Sequence, residues 1–394
     1  MPAHGRPLSL AKVGVGAEGG KAALVTHESR SWACPRASDA VDLSSLPPHI
    51  WVRLYGRDRI QQKLRISLTE HCNLACFFCH NEGQGPIRRQ AGESLSVAEI
   101  VSVAGAALEE ATTKIKLTGG EPLLFRSGRD NIITLVREIA ALRQEGHTFD
   151  LSMTTNGSLL PEYADQLASA GLDRVTVSVT TLDETVFGKL ISPSRQLLSR
   201  GLEGLHAAQE AGLLPLKINA ALYHSSKTRG LGNLNELPEL LDVALAVGAA
   251  ELRFYTLLWH KNFSAFGEFY QFFSSEMRDA LVALLKSQDV VGPSETVDAL
   301  ASLALRFADR AYPKVEYGVD LGRLKIGFEA MKYGRLSDRS GLQEGPYAVR
   351  LSADGALRAT LGGRPSYGLI KAVRKGWTGS ELRRWYRAAL EEMP

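Results

Sequence analysis

From residue 64 onward, short apolar runs alternate with longer segments in which apolar residues recur every three to four positions. The short runs suit buried strands, and the longer period suits helices with one buried face. Strands are predicted at 64–68, 114–118, 150–155, 174–179, 215–222 and 251–257. Helices are predicted at 96–110, where Ser96 and Glu99 form a capping box, and at 130–144, 161–170, 195–211 and 234–247. Such alternation is typical of βα units, so the pattern predicts an α/β fold around a parallel sheet.

The alternation divides the chain into three parts. Residues 1–55 are rich in Gly, Ala, Ser and Pro without a period, which predicts a loosely ordered N-terminal extension. Six predicted strands in residues 56–260 give an incomplete, TIM-like (β/α)6 barrel that is open on one side. Residues 261–394 form a C-terminal α+β extension that covers the substrate, with a helical stretch and a hairpin turning at Asp354 and Gly355. The active sites of such barrels lie where strands lead into the following loops.

The composition of the chain limits the kinds of partner that we expect it to bind. The chain has 394 residues, of which 44% are apolar, and its formal charge of +3 gives no general field for polyanions. We therefore expect no nucleic-acid partner. No apolar run reaches about 18 residues and the start lacks a signal peptide, so we expect no membrane partner and a cytoplasmic location. In that reducing compartment, grouped cysteines favour metal binding or catalysis over disulfides.

Three cysteines follow the first predicted strand in the segment "CNLACFFCH". Cys72, Cys76 and Cys79 have C-x3-C-x2-C spacing, and the only other cysteine is Cys34. Structural zinc usually takes four ligands in two pairs, and no second pair completes this set. A disulfide would leave one of the three thiols over. Both alternatives stay open but are disfavoured.

An iron–sulfur cluster fits the cysteine segment better. Soft thiolates select such clusters, and three cysteines on a 4Fe-4S cube leave one iron open for a small ligand. An open position is typical of catalytic metal sites. The intervening Leu74, Phe77 and Phe78 would keep solvent from the cube.

A second motif, "LTGGEP", follows the second predicted strand. Gly119 and Gly120 let the backbone approach a ligand closely, and Glu121 can pair with an ammonium group, although a plain strand-ending turn is the alternative. Together, "CNLACFFC" and "GGEP" resemble the motifs of the radical S-adenosylmethionine (SAM) enzymes. The resemblance implies a partial (β/α)6 barrel and one 4Fe-4S cluster whose open iron binds SAM. It also implies an external one-electron reductant, flavodoxin or ferredoxin, and a 5′-deoxyadenosyl radical that takes hydrogen from the substrate.

The same resemblance suggests further SAM contacts. Thr155 and Asn156 end the third strand in "MTTNG", where the family places a SAM-contacting segment, and Ser178 aligns with a ribose-contacting serine. Phe78 and Asn219 complete the predicted cofactor site. The family often has Asp two residues after that serine, whereas this chain has Thr180.

A longer stretch, from residue 55 to about 390, resembles the GTP 3′,8-cyclases of molybdenum-cofactor synthesis. Those enzymes carry a second 4Fe-4S cluster, and at the aligned positions of its three cysteines this chain has Gln343, Pro346 and Thr360. The sequence therefore predicts a single cluster. Arg65 and Arg350 fall where the family's arginines hold substrate phosphates.

Two cations on predicted strands complete the substrate prediction. Lys217 and Arg253 lie on buried strands, where they either bind a charged ligand or form internal ion pairs. Lys217 shares one face of its strand with Asn219.

These features predict an enzyme that abstracts hydrogen from a phosphorylated nucleotide and forms a carbon–carbon bond. The resemblance favours closure of an enolpyruvyl uridine phosphate into the octosyl acid of nucleoside antibiotics. The alternatives are a GTP 3′,8-cyclase and a radical SAM epimerase or dehydratase acting on a sugar or aminoglycoside, for which Cys34 is a poor donor thiol. A non-enzymatic iron–sulfur protein is a further alternative. The sequence leaves the oligomeric state open, a homodimer included.

Overall fold

The structure is a computed structural model, and all of its described residues belong to one compact unit, Cys34–Pro394. The described residues are 46–54, 63–79, 95–223, 231–256, 284, 299–300, 314–331, 348–358, 373–376 and 379–391.

The strands are β1 Ile50–Leu54, β2 Lys63–Ser67, β3 Lys114–Thr118, β4 Arg126–Ser127, β5 Asp130–Asn131, β6 Asp150–Thr155, β7 Arg174–Ser178, β8 Lys217–Leu222, β9 Glu251–Thr256, β10 Lys314–Asp320, β11 Lys325–Met331, β12 Val349–Leu351 and β13 Leu357–Arg358. Eleven of these described strands form one sheet in the order β1-β10-β11-β9-β8-β7-β6-β3-β2-β12-β13, and β4 pairs with β5. The pairing is parallel from β11 through β9, β8, β7, β6, β3 and β2 to β12, and antiparallel at both ends.

The helices are α1 Val97–Glu109, α2 Ile132–Ala141, α3 Leu160–Ser169, α4 Glu184–Leu190, α5 Gln196–Glu210, α6 Leu237–Ala246 and α7 Gly379–Glu391. The predicted capping box at the start of α1 is present. Ser96 Oγ accepts a hydrogen bond from Glu99 N at 3.2 Å, and Glu99 Oε2 accepts one from Ser96 N at 2.8 Å. These two bonds satisfy backbone donors that the first turn leaves open, which is why α1 begins there.

The two faces of the sheet differ in polarity. Alternate residues of each central strand, such as Leu64, Ile115 and Val175, are fully buried in the hydrophobic core that the helices complete. The residues between them, including Arg65, Lys116 and other polar or charged side chains, face the inside of the barrel, which we call the lumen. The sheet therefore places its apolar face against helices and lines the lumen with polar groups.

The structure confirms the predicted α/β fold class, and the six predicted strands correspond to β2, β3, β6, β7, β8 and β9. It adds three strands beside β9, of which β1 begins at residue 50, inside the range assigned to the extension. The predicted hairpin is also present, and it joins the sheet by pairing β12 with β2. Most of the helical stretch predicted after residue 260 lies outside the described residues. Among the described helices, none is long and apolar enough to span a bilayer.

Candidate active site

The three cysteines lie on the loop after β2, at the carboxyl end of the parallel strands. The apolar side of this loop packs on α4 and on the end of β8. Phe77 N donates a hydrogen bond to Leu190 O at 2.9 Å, and the Phe77 ring meets the Tyr223 ring edge to face at 5.1 Å. Phe78 packs against Phe77 at 5.2 Å between ring centroids. Phe78 thus contributes to the packing of the loop as well as to the predicted cofactor site.

The thiols of the loop suit an iron–sulfur cluster. Cys72, Cys76 and Cys79 are free, and Cys72 and Cys79 are exposed. Although Cys72 as a residue is exposed, the protein atoms around its sulfur desolvate the thiol and raise its pKa to about 11, with smaller contributions from Glu121 and Cys79. Burial, followed by the two neighbouring cysteines, raises the pKa of Cys76. All three thiols lie on one short loop with C-x3-C-x2-C spacing, and thiolates at this spacing would suit the ligands of a cluster. Among the described side chains, the three cysteines included, no group of three or more His, Cys, Asp or Glu converges to hold a single metal ion, so the fit to a cluster rests on the number and spacing of the thiols.

The two glycines of "LTGGEP" allow a close approach, but their neighbour is the cysteine loop. A Cβ at Gly119 would lie 2.5 Å from Thr69 O, and a Cβ at Gly120 would lie 2.3 Å from His71 O. Gly119 also has a φ of +136°, which favours glycine. The sequence explained these glycines by access for a ligand, whereas the structure shows that they let β3 pass the segment leading into Cys72.

Glu121 is fully buried and is bonded within its own chain. Its carboxylate accepts hydrogen bonds from Thr155 Oγ1 at 2.7 Å, from Asn156 N at 2.8 Å and from Leu123 N at 3.1 Å. Burial raises the pKa of Glu121 to about 7, against the opposing effect of these donors. The predicted ammonium contact of Glu121 stays a prediction. In the structure, Glu121 joins the ends of β3 and β6.

Asn156 connects this network to the cysteine loop. Its side-chain amide donates to Asn73 Oδ1 at 2.8 Å and lies 3.9 Å from Cys72 Sγ, while its Oδ1 accepts from Ser158. The predicted SAM residues Thr155 and Asn156 thus lie beside the cysteines. Asn73 stands in the cysteine motif, but its partner Ser158 is 85 positions away, so sequence reasoning missed both.

The end of β7 and the adjacent part of β8 form the next part of the site. Ser178 and Asn219, both predicted cofactor contacts, are paired in register there. Beyond Ser178, the carbonyl of Thr180 accepts a hydrogen bond from the buried Asn233 at 2.6 Å. The buried Glu236 accepts bonds from Thr181 Oγ1, the shorter at 2.7 Å, so two residues without a recognisable motif fix this loop.

Cations line the lumen on β12, β2 and β3. Arg350 and Arg65, the predicted phosphate ligands, are directly paired in register, and Lys116 is paired with Arg65 on the other side. The lumen-facing positions of these three described strands carry five cations and no carboxylate; we call them the cationic wall, and they are Lys63, Arg65, Lys114, Lys116 and Arg350. Burial, followed by Arg65 and Lys63, holds the pKa of Lys116 well below its ordinary value.

Across the lumen, cations and carboxylates are balanced. Glu251 forms ion pairs with both Lys217 and Arg253, and Arg253 Nη1 also contacts Glu316 at 3.2 Å. We call Lys217, Glu251, Arg253 and Glu316 the balanced wall. The internal ion pair that the sequence left open as an alternative is therefore present for Lys217 and Arg253, while their contact with substrate stays a prediction.

The chain resembles known proteins over part of its length. The Radical SAM superfamily model matches residues 66–225. A "Probable GTP 3',8-cyclase" of Methanococcus aeolicus is 39% identical over 186 residues, which cover 47% of this chain and 58% of that protein. The "GTP 3',8-cyclase" of Peptoclostridium acidaminophilum is 35% identical over 249 residues, covering 62% of this chain and 71% of the relative. The chain thus spans a little over half of the first relative and more of the second.

A solved structure, native anSMEcpe with bound AdoMet, is similar in fold. It has a TM-score of 0.50 and 14% identity, and the match covers 84% of this chain and 80% of that one. The fold is a partial TIM-like barrel, with three cysteines on the loop after its first parallel strand. The chain belongs to the radical SAM superfamily.

The cofactors are accordingly a 4Fe-4S cluster and S-adenosylmethionine, and the chain is a radical SAM enzyme. Cys72, Cys76 and Cys79 are the residues that would hold the cluster. When bound, these cofactors supply reductive cleavage of SAM and hydrogen abstraction. The protein around them fixes the cysteine loop between α4 and the ends of β3 and β6, and it presents a charged lumen below the loop.

Proposed function

We propose that this enzyme abstracts a hydrogen atom from a phosphorylated nucleotide and closes a ring by forming a carbon–carbon bond. The observation that carries the proposal is the position of Lys116 in the cationic wall. Lys116 and Arg65 adjoin each other in register, and no described carboxylate forms an ion pair with Lys116. A half-buried ammonium among other cations is costly unless an anion is bound, and a phosphate group provides that anion.

Two hydroxyl groups support a ligand at this level of the lumen. Thr154 and Thr176 are paired across β6 and β7, and their buried Oγ1 atoms have no hydrogen-bond partner among the described residues. Buried polar atoms are usually satisfied by protein, water or ligand. A phosphorylated substrate between the two walls would offer acceptors to both.

GTP is the first candidate substrate, because the relatives compared above are named for its cyclisation. These names support the alternative more than the octosyl acid hypothesis. One observation favours a uridine monophosphate as second candidate: the sequence has four cysteines, so with three in the loop only Cys34 remains for any further cluster. An external flavodoxin- or ferredoxin-type reductant completes the proposal.

The test uses anaerobically reconstituted, reduced enzyme with SAM. GTP, enolpyruvyl uridine monophosphate and the matching nucleosides without phosphate are each added, and 5′-deoxyadenosine and new nucleotide products are measured by mass spectrometry. We expect release of 5′-deoxyadenosine to rise with one phosphorylated nucleotide and not with its nucleoside. Equal release with the nucleoside would contradict a phosphate-binding role, and Cys76→Ala should abolish release with every substrate.

A further inference from the structure

Three side chains close a hydrogen-bonded triangle beside Cys72. Asn73 Nδ2 donates to Ser158 Oγ at 2.9 Å, Ser158 Oγ donates to Asn156 Oδ1 at 2.7 Å, and Asn156 Nδ2 donates to Asn73 Oδ1 at 2.8 Å. Each residue of the triangle therefore donates once and accepts once. A closed ring of this kind fixes the direction of every amide, and its bonds strengthen each other in a partly buried setting.

The triangle is attached to rigid structure on its β6 side. Ser158 is 1% exposed, and its backbone N–H also donates to Asn156 Oδ1 at 3.0 Å. The backbone of Asn156 is bonded to the fully buried Glu121, which in turn also holds Thr155. Asn73 is the member that belongs to the cysteine loop, so the triangle ties that loop to the end of β6.

One donor of the triangle is directed at a sulfur atom. Asn156 Nδ2 lies 3.9 Å from Cys72 Sγ, and Leu74 N donates to the same sulfur at 3.4 Å. Cys76 instead packs against the apolar cluster that contains Phe77 and Tyr223. The surroundings of these two cysteines are therefore unequal, because N–H groups approach Cys72 whereas Cys76 contacts an apolar cluster.

We propose that Asn73, Asn156 and Ser158 are positioning residues that fix Cys72 as a cluster ligand and direct the Asn156 amide at its sulfur. Outer hydrogen bonds orient metal ligands and strengthen metal retention. An N–H group near a thiolate stabilises the more negative, reduced cluster, so its loss makes the reduction potential more negative.

The experiment compares reconstituted wild-type enzyme with Ser158→Ala and Asn156→Asp, without substrate. Ser158→Ala opens the triangle but keeps the amide of Asn156. We expect its release of iron to a chelator to be about fivefold faster, the factor that corresponds to one hydrogen bond of about 1 kcal/mol. Asn156→Asp replaces the donor by a carboxylate, so we expect faster release together with a more negative midpoint potential in an EPR-monitored titration.

The matched control is Thr112→Val, which removes a buried hydroxyl bonded to Tyr386 at 2.9 Å, at the amino end of β3 and away from the cysteines. It should leave iron release and potential unchanged. The proposal is overturned if both site variants keep the wild-type release rate and potential, or if Thr112→Val accelerates release as much as Ser158→Ala. If Asn156→Asp takes up no cluster, the comparison of Ser158→Ala with Thr112→Val decides. Because no substrate is present, the result is independent of the proposed function.

Discussion

The two walls of the lumen solve the problem of buried charge in different ways. On the balanced wall, each cation has a carboxylate of the same chain, with Glu251 serving both Lys217 and Arg253. On the cationic wall, Lys116 and its neighbours on β2 and β12 stand together at lumen positions without a carboxylate on those strands. The first arrangement pairs its charges within the chain, whereas Lys116 forms no ion pair with a described carboxylate and is disfavoured by burial and by the cations near it. The comparison separates cations that are paired within the fold from a lysine that a bound anion would stabilise.

Removing the shared carboxylate of the balanced wall should destabilise the folded protein. Glu251→Gln would leave Lys217 and Arg253 facing each other without their shared carboxylate. We expect the free energy of unfolding to fall by about 3 to 5 kcal/mol, as when one partner of a buried ion pair is removed. Urea denaturation measures this.

The control for Glu251→Gln is Glu162→Gln, which breaks the solvent-exposed pair with Arg200. Exposed pairs contribute roughly 0 to 1 kcal/mol, so this variant should be nearly neutral. Similar losses of unfolding free energy in both variants would show that the buried carboxylate of Glu251 stabilises the fold no more than the exposed one of Glu162.

Loss of a cation from the other wall should affect ligand binding. Arg65→Ala and Arg350→Ala each remove a charge-assisted hydrogen bond to phosphate, which we expect to cost about 1.5 to 3 kcal/mol, or about 10- to 150-fold in affinity. Calorimetric titration of the SAM-loaded enzyme with nucleotide measures this. Arg143→Ala, which removes an arginine that pairs with Asp173 outside the lumen, should bind normally. Unchanged nucleotide affinity in both lumen variants would show that Arg65 and Arg350 do not bind phosphate.

One matched pair of lysines compares the walls directly. Lys116→Met removes an ammonium whose pKa is depressed by burial and neighbouring cations, so we expect a gain of about 1 kcal/mol in unfolding free energy. Lys217→Met leaves Glu251 short of a partner, and because Lys217 is partly exposed we expect a loss of about 1 to 2 kcal/mol. Thermal unfolding of the two variants should therefore shift in opposite directions. A shift in the same direction would mean that the walls do not differ in charge balance.

The strands that the sequence predicts correctly are those determined by residues close to them along the chain. β3 and β6 have the bounds that the sequence predicts, because their alternation and flanking turns are local. β1 was assigned to the extension, since its partner β10 lies more than 250 residues further along the chain. β10 and β11 contain Gly318 and Gly327 at a paired position, and these glycines weaken a strand pattern.

The site shows the same limit. The cysteines and the "GGEP" segment were recognisable because each motif is contiguous, and the structure places them against each other. The role of Glu121 was not recognisable from the sequence. The donors to its carboxylate include Thr155 and Asn156, which are 34 and 35 positions away. Glu251 and Lys116 also have no motif. The role of each depends on which charged side chains the strand register places next to it.

The smallest expected effect is a pH dependence on the balanced wall. Burial alone would raise the pKa of Glu251, but Arg253 and Lys217 reverse this and hold the pKa below its ordinary value of 4.5. A carboxyl group with a depressed folded-state pKa adds stability that is fully present above the unfolded-state pKa and is lost as the pH falls through the folded-state pKa. The difference in unfolding free energy between wild type and Glu251→Gln should therefore be constant above about pH 5 and shrink below 4.5. A difference that grows on acidification would show that the two cations do not stabilise the ionised form of Glu251.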